Sequence, residues 1–264
     1  MTKPLEVLIT VKAYPNPSSA QGEAACIAGV AKDGTFKRLY PIPFRKLEDS
    51  QQFKKYQWIK LQARKPKSDN RPETVRPVLD SIEILGDPLP TRNNWVARRD
   101  IVKQVLSPSM CDIQDSQKTH GTSLGFFRPA EILDVEAKGE DSPTWKPGEL
   151  EKLSQKDMFL TKESKPLEKI PVGFYYCFRC ENCRNKQPHR MKIIDWELAE
   201  LWRKNRRGHD DATTIDLVRQ RFLHEMCGTD KDTHFFTGNM QKHQNTFLIL
   251  GVFWPPKRAQ VDLF

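Results

Sequence analysis

Three cysteines lie within seven residues in the second half of this chain, and this crowding constrains the fold more than any other feature. Two residues separate Cys177 from Cys180 and Cys180 from Cys183, and His189 follows after five more. Three thiolates and one imidazole suit a four-coordinate Zn²⁺ ion. The spacing therefore predicts a zinc site built from Cys177, Cys180, Cys183 and His189.

Two further interpretations of the cysteines stay open. Two consecutive Cys-x2-Cys turns that share Cys180 would be cramped, so one cysteine could lie outside the site while Cys227 or His224 completes it. A metal-free interpretation instead treats Cys177 and Cys180 as small core residues, because buried cysteines behave as small apolar side chains.

An iron–sulfur cluster is the alternative cofactor, because ferredoxin-type ligation uses the same Cys-x2-Cys-x2-Cys spacing. No Cys-Pro follows here, so the fourth ligand would come from Cys227, Cys111, Cys26 or a histidine. With either metal, four protein ligands leave no open position for water. The predicted role of the site is therefore structural.

The N-terminus and the longest apolar run indicate the compartment. Residues 1–11 lack the pattern of a secretory signal, and the longest uncharged apolar run, residues 247–254, is far shorter than the roughly 20 residues needed to span a bilayer. Six cysteines in such a chain favour a metal or free thiols over disulfides. We expect a cytoplasmic protein without a membrane partner.

Hydrophobic patterns predict an α+β fold. Strand-like runs in the first part predict a small twisted β-sheet or partly closed barrel, and the cysteines are followed by two amphipathic helices and a buried strand. The predicted strands of the first part are residues 4–13, 24–30, 36–42, 57–63 and 78–85. The predicted helices are residues 95–106, 193–204 and 215–226, and the buried strand is 246–254.

A charged segment with three prolines separates these two regions and predicts the domain division. Residues 1–140 are expected to form a β-rich basic domain. Residues 141–169 are expected to be a linker or surface excursion, and residues 170–264 a metal-binding α+β domain.

The net charge of +9 is concentrated in one stretch. Residues 34–67 carry ten basic side chains against two acidic ones, interleaved with six aromatic side chains. Cations neutralise phosphates and aromatic faces stack on bases, so this stretch and a second basic run near residue 205 predict a nucleic-acid surface. The predicted binding residues are Lys37, Arg38, Arg45, Lys54, Lys55, Tyr56, Trp58, Arg203, Lys204, Arg206 and Arg207.

Two pairs of residues are candidates for catalysis. Asp195 and Glu197 could hold Mg²⁺ for phosphodiester chemistry, because hard oxygen ligands suit that ion, although carboxylates also favour the first turn of a helix. Glu136 and Lys138, with Asp112 or Asp115 upstream, have the outline of a PD-(D/E)xK nuclease core.

The leading hypothesis is a zinc-stabilised nucleic-acid-binding protein, with DNA and RNA undecided. The alternatives are a metal-dependent nuclease or phosphodiesterase that uses Mg²⁺, and a protein-interaction subunit of a larger nucleic-acid-processing complex. Walker A, Gly-x-Gly-x-x-Gly, Gly-x-Ser-x-Gly and His-Glu-x-x-His motifs are absent from the sequence, which disfavours nucleotide-driven motors, dinucleotide enzymes and the common hydrolases.

Overall fold

Alternating apolar residues build the first half of the fold as a β-barrel. The computed structural model describes residues 2–19, 21–154 and 165–257. The strands of the first half are β1 (Lys3–Lys12), β2 (Asn16–Ser18), β3 (Gly22–Ala31), β4 (Phe36–Ile42), β5 (Trp58–Arg64), β6 (Thr74–Pro77) and β7 (Glu83–Leu85).

Five of these strands close on themselves in the order β1-β3-β4-β6-β5, because β5 also pairs antiparallel with β1. Every second residue of β1 and β5 points into the barrel, as Val7, Ile9, Ile59 and Leu61 show by packing in one buried cluster. Because β1 and β5 pair with each other, neither strand is left as a free edge of the sheet.

The second half of the chain combines short helices with two small sheets. After α1 (Arg92–Val102), its strands are β8 (Leu106–Ser107), β9 (Leu124–Phe127), β10 (Pro129–Gly139), β11 (Val172–Cys180), β12 (His189–Lys192), β13 (His234–Asn239) and β14 (Phe247–Phe253). The helices are α2 (Met110–His120), α3 (Pro147–Ser154), α4 (Trp196–Asn205) and α5 (Asp211–Arg219), which continues as a π-helical turn, Gln220–Glu225.

The sheets of the second half have the orders β10-β11-β12 and β14-β13-β9-β8. Their apolar faces and α4 enclose one core, in which Phe178, Trp202 and Phe235 are almost fully buried. The last strand, β14, is buried along nearly its whole length, as expected for a continuous apolar run.

A shared core and polar bonds join the barrel to the second half. Val11 and Ala28 of the barrel pack in one cluster with Phe126, Phe236 and Phe253. The buried Arg38 guanidinium of β4 donates hydrogen bonds to Ser123 Oγ at 2.5 Å and to Ser123 O at 2.7 Å. The two halves therefore meet through packed side chains as well as through the connecting chain.

The predicted α+β class is confirmed, including the barrel-like sheet, the Cys/His cluster, the two helices after the cysteines and the buried strand. One strand differs, because the predicted strand at residues 78–85 is a 3-10 turn, Leu79–Ser81, followed by the three-residue β7. No helix among the described residues has the length and apolarity to cross a membrane.

Strand pairing joins residues before the predicted linker to residues after it. β9 pairs with β13 and β10 pairs with β11, so residues 124–139 share sheets with the second half rather than with the barrel. The predicted linker contains α3, and its residues 155–164 lie outside the described part of the chain.

Candidate functional site

Four side chains from three parts of the chain meet in one candidate metal centre, made of Cys111, Cys180, Cys183 and His189. Cys111 lies in the first turn of α2, Cys180 ends β11, and His189 begins β12. Cys183 lies in the turn that joins those two strands. The β11–β12 hairpin therefore supplies three of the donors and α2 supplies the fourth.

The ligand atoms have the spacing that a single ion requires. The Sγ atoms of Cys111 and Cys180 are 3.6 Å apart, and His189 Nε2 is 3.4 Å from Cys180 Sγ, 3.4 Å from Cys183 Sγ and 3.7 Å from Cys111 Sγ. A tetrahedral ion with metal–sulfur bonds of about 2.3 Å places neighbouring ligand atoms about 3.8 Å apart. The group can therefore hold a metal ion.

Local structure explains why these residues converge. Asn182, between the two cysteines of the turn, has a φ of 48°, a left-handed conformation that asparagine tolerates better than most residues. The side chain of Ser109 caps α2 by accepting a hydrogen bond from Asp112 N at 3.1 Å. Arg184 Nη2 contacts Asp115 Oδ2 at 2.7 Å and ties the turn to α2.

Burial sets the protonation of these side chains. It raises the pKa of the Cys180 thiol to about 11 and lowers the pKa of His189. At Cys183, burial alone would raise the pKa, but backbone hydrogen bonds within the turn and side-chain hydrogen bonds from Cys180 and Cys111 together lower it. A metal binds the neutral imidazole and the deprotonated thiol, so these thiols would release protons on binding an ion.

Two neighbours orient the imidazole. Phe178 stacks on His189 with ring centroids 5.1 Å apart, and the Asn185 amide nitrogen lies 3.4 Å from His189 Nδ1. An ion on Nε2 requires the proton on Nδ1. Rotating the Asn185 amide by half a turn would let its Oδ1 accept a hydrogen bond from Nδ1–H.

The ligand set corrects one sequence prediction, because Cys177 lies outside the group and Cys111 takes its place. Side chains alternate along a strand, so Cys177 points to the opposite face of β11 from Cys180, where its Sγ donates to Glu136 Oε1 at 3.0 Å. Cys227, an alternative ligand, instead contacts Tyr176 OH at 3.7 Å. His224, the other alternative, is also outside the group.

The candidate catalytic pair Asp195 and Glu197 forms part of an ion cluster at the junction of the two halves. Asp195 caps α4 by accepting from Glu197 N, and Lys55 Nζ of the barrel lies 3.0 Å from Asp195 Oδ1, 2.9 Å from Oδ2 and 3.2 Å from Glu197 Oε1. Because Lys55 contacts both oxygens of Asp195, that carboxylate is not available to Mg²⁺ in this arrangement.

Burial dominates the electrostatics of this cluster. It raises the pKa of Asp195 to about 6, and the charge of Lys55 offsets only part of that effect. Burial alone would lower the pKa of Lys55, but the two carboxylates raise it above its usual value. Asp195 and Lys55 therefore act as a buried pair that joins α4 to the barrel.

The second candidate pair, Glu136 and Lys138, does not assemble into the predicted nuclease core. Arg190 Nε contacts Glu136 Oε2 at 2.6 Å, and the side-chain hydrogen bonds from Cys177 and Arg190 hold the pKa of Glu136 below its usual value. Asp112 and Asp115 form ion pairs with Arg184 beside the metal centre instead of joining Glu136. The carboxylate pair that this chemistry needs is therefore not brought together.

A cleft of about 700 Å³ lies between the barrel and α4. Among the described residues, six basic side chains line the cleft against two carboxylates, Glu197 and Glu200. The six cations of this cationic cleft are Lys12, Lys54, Lys55, Arg203, Lys204 and Arg207. Burial and the nearby Lys55 charge lower the pKa of Lys12 to about 8, as expected where positive charges accumulate.

The cleft contains five of the predicted nucleic-acid-binding residues, Lys54, Lys55, Arg203, Lys204 and Arg207. The others lie elsewhere. Arg38 is only 1% exposed and bonded to Ser123, so it cannot contact a phosphate, which corrects that prediction. Tyr56 is buried and lines a neighbouring cavity.

The remaining predicted binding residues are distributed over the surface. Arg45 is paired with Glu23, and Arg206 is paired with Asp211. Lys37 lines a different, shallow cleft, and Trp58 is half-buried with Lys32 Nζ 5.5 Å from its ring centroid. A basic residue in one of the two basic stretches therefore does not necessarily line the cleft.

Comparison with protein families divides the chain in two. A family described as Domain of unknown function (DUF8757) matches residues 106–264, which is more than half of the sequence. The chain belongs to the DUF8757 family. A second family, described as Domain of unknown function (DUF8758), matches residues 3–104. No curated protein matches the chain.

The family match and the structure agree on where the halves join. All four residues of the metal centre lie within the DUF8757 region. The cationic cleft is different, because Lys12, Lys54 and Lys55 lie in the DUF8758 region and its other cations lie in the DUF8757 region. The cleft therefore exists only where the two regions meet.

Proposed function

We propose that this protein is a zinc-stabilised nucleic-acid-binding protein whose phosphate-binding surface is the cationic cleft. The observation that carries the proposal is that Lys54, Lys204 and Arg207 are exposed along one cleft and form no ion pair with another described residue. Unneutralised cations spaced along a groove attract a polyanion, because each one that meets a phosphate releases a condensed counterion.

The walls of the cleft add a second feature that suits a nucleic acid. Trp196 lies on the cleft and packs edge-on against Phe44, with ring centroids 5.5 Å apart, while its Nε1 donates to Glu200. Aromatic side chains beside phosphate-binding cations provide platforms on which unstacked bases can lie. This combination favours nucleic acid over an acidic protein partner.

Zinc is the ion that the metal centre suits best. Three sulfurs and one imidazole nitrogen within 4.8 Å of one another fit ligands of one tetrahedral ion, whereas a multi-iron cluster would hold its thiolates farther apart. Because four protein ligands saturate zinc, the proposed role of the ion is to hold α2 on the β11–β12 hairpin. Binding would then depend on zinc only through the stability of the fold.

The test of the proposed function is binding of fluorescent DNA and RNA oligonucleotides, single- and double-stranded, over a range of salt concentrations. Wild-type affinity should fall linearly with salt on a log–log plot, with a slope set by the number of phosphates contacted. The triple variant Lys54→Glu, Lys204→Glu, Arg207→Glu should bind at least about tenfold more weakly.

A matched triple variant controls for net charge. Lys67, Lys152 and Lys242 are exposed, lie outside the cleft, and give the same change in charge when each is replaced by Glu. This control should stay within about twofold of the wild type at moderate salt, since distant charges are screened. The proposal fails if no oligonucleotide binds at low salt, or if the control loses as much affinity as the cleft variant.

A further inference from the structure

A second cavity, of about 610 Å³, adjoins the cationic cleft and shares Lys55 and Glu197 with it. Its volume lies within the roughly 300–1,000 Å³ typical of small-ligand sites. Three aromatic side chains line this aromatic cavity: Tyr56 of the barrel, Trp95 of α1, and Trp254, which follows β14. It therefore draws on both family regions.

The aromatic rings are arranged so that no two of them stack flat. Trp95 and Trp254 have ring centroids 5.6 Å apart at 64°, and Tyr56 and Trp95 have centroids 6.4 Å apart at 70°. Trp95 and Trp254 are only half-buried. The two indoles therefore meet edge to face. The Arg98 guanidinium carbon lies 4.9 Å from the Trp95 centroid, and the Arg221 guanidinium carbon lies 4.8 Å from the Trp254 centroid. A planar base would lie against these guanidinium–indole pairs, since arginine planes and aromatic rings both stack on bases.

A cation supplies the second half of a nucleotide site. The Arg98 guanidinium carbon lies 4.1 Å from the Tyr56 centroid, and Arg98 Nε donates to Leu89 O at 2.7 Å. Arg98 forms no ion pair with another described residue, which leaves its terminal N–H groups available. A half-buried guanidinium fixed against an aromatic ring, with its fork free, suits a phosphate.

The backbone around the cavity is held in rarely used conformations. Tyr56 has a φ of 61°, and the consecutive residues Asn93, Asn94 and Trp95 have φ values of 53°, 52° and 59°. Residues other than glycine seldom adopt this left-handed region, and strained backbone concentrates at ligand sites. Here it positions two of the three aromatic walls.

We propose that the aromatic cavity receives one nucleotide turned out of a strand that lies in the cationic cleft, with its base against Trp95 and Trp254 and a phosphate on Arg98. The inference rests on the proposed function, because it needs a strand in the adjoining cleft. It adds that the protein reads an unstacked base and does not bind the phosphate backbone alone.

The test compares a single-stranded oligonucleotide with an abasic strand of the same length, which carries the same phosphates and no bases. The wild-type chain should bind the oligonucleotide about tenfold more tightly, the size of effect seen for stacking of one base. Trp254→Ala should lower this preference to the part that bases gain on Trp196 of the cleft. Trp145→Ala, which replaces a half-buried tryptophan of another cavity, should keep the preference.

Variants of the cleft and of the cavity separate the two proposals. The triple cleft variant should bind both strands more weakly, with the ratio of the two affinities unchanged. Trp254→Ala should instead lower that ratio. Arg98→Gln, which leaves the aromatic walls in place, should weaken binding to both strands and lower the salt slope by about one. Thermal melts of each variant verify that it folds.

Three outcomes would overturn the inference. A wild type that binds both strands equally would contradict base binding in the aromatic cavity, and so would a folded Trp254→Ala that keeps the preference. Either result would leave the proposed function intact. If neither strand binds but a nucleoside monophosphate does, and Trp254→Ala abolishes that binding, the cavity serves free nucleotides and the strand model is wrong.

Discussion

At the scale of single residues, Cys111 and Cys177 show how position decides the chemistry of a thiol. Cys177 has the regular spacing of the cysteine run, yet burial and the Glu136 carboxylate raise its pKa to about 12 on the far face of β11. Cys111 has no neighbour in the run, yet its Sγ lies 3.6 Å from Cys180 Sγ. Only Cys111 therefore lies in surroundings that suit a metal ligand.

Substitution of these two cysteines gives a matched prediction. Cys111→Ser should lower the bound zinc from about one equivalent per chain toward zero, because a serine hydroxyl is a poor zinc ligand. Cys177→Ser should keep its zinc. Elemental analysis of the purified variants measures both, and a Cys177→Ser variant that loses its metal while Cys111→Ser retains it would contradict the ligand set.

Asp195 predicts a pH dependence of stability. Its pKa is raised to about 6 in the folded chain, against about 3.9 in an unfolded one. Between these values the folded state binds the proton and the unfolded state does not, so lowering the pH from 6 to 4 should raise the free energy of unfolding. The upper bound of this gain is about 3 kcal/mol.

Urea unfolding at a series of pH values measures this effect. Asp195→Asn is the reference, because asparagine caps a helix as well as aspartate does and carries no titrating proton. The wild type should gain stability relative to Asp195→Asn as the pH falls through this window. Parallel profiles for the two proteins would show that Asp195 keeps an ordinary pKa.

At the scale of elements, the barrel depends on a close approach between β1 and β3. A Cβ atom added to Gly29 of β3 would lie 2.1 Å from the backbone oxygen of Leu8 on β1. Backbone cannot yield as a side chain can, so Gly29→Ala should destabilise the chain by about 1–3 kcal/mol.

Gly139→Ala is the control for this prediction, since a Cβ there would meet no atom within 4 Å. Chemical denaturation of the two variants measures the difference in the free energy of unfolding. Equal stabilities would mean that β1 and β3 can separate at little cost.

Individual elements were predictable from local pattern, but their partners were not. The strand near residues 4–13 and the helix after His189 follow from periodicity that a short window contains. The closure of β5 onto β1, and the pairing of β10 with β11 across residues 140–171, depend on contacts between distant segments. The residues close in sequence to a strand do not show which distant strand it pairs with.

The same limit of local sequence pattern applies to the candidate metal centre. The Cys180-x2-Cys183 turn and His189 are close in sequence, so spacing alone identified three ligands. Cys111 comes from a helix near the start of the second half. The sequence offered it only as one of several possible fourth ligands of an iron–sulfur cluster, and its contact with Cys180 distinguishes it from the others. Arg38 was misjudged for the opposite reason, because its charge suggested a surface residue.

At the scale of the whole molecule, the two family regions share a core and the cationic cleft. The cluster that contains Val11, Ala28, Phe126 and Phe253 has members from both regions. Arg71 of the barrel likewise donates to Asn239 O at 2.7 Å in the second region. We therefore expect one cooperative unfolding unit.

Arg38→Ala tests this coupling. It removes the charged hydrogen bonds from the guanidinium to Ser123 Oγ and O, and it leaves a cavity where the buried side chain packed. Ser123 keeps its bonds to Glu73 and Asn239, so the cost comes from the lost bonds and packing and should be about 3 kcal/mol. Arg64→Ala, at an exposed position of β5, should stay within about 0.5 kcal/mol of the wild type. Calorimetry measures both, and an unchanged Arg38→Ala melt would show that the Arg38–Ser123 contact does not contribute to the junction.

A metal ion bound by the Cys/His group would also close a ring in the polypeptide. Cys111 and Cys180 are 69 residues apart, and an ion held by both would restrict every unfolded conformation in which those residues could otherwise drift apart. By analogy with a disulfide enclosing a loop of this size, the lost chain entropy is worth about 4 kcal/mol. A chain loaded with its ion would thus unfold into a smaller, looped ensemble, and the enclosed strands would begin refolding with their ends already near each other.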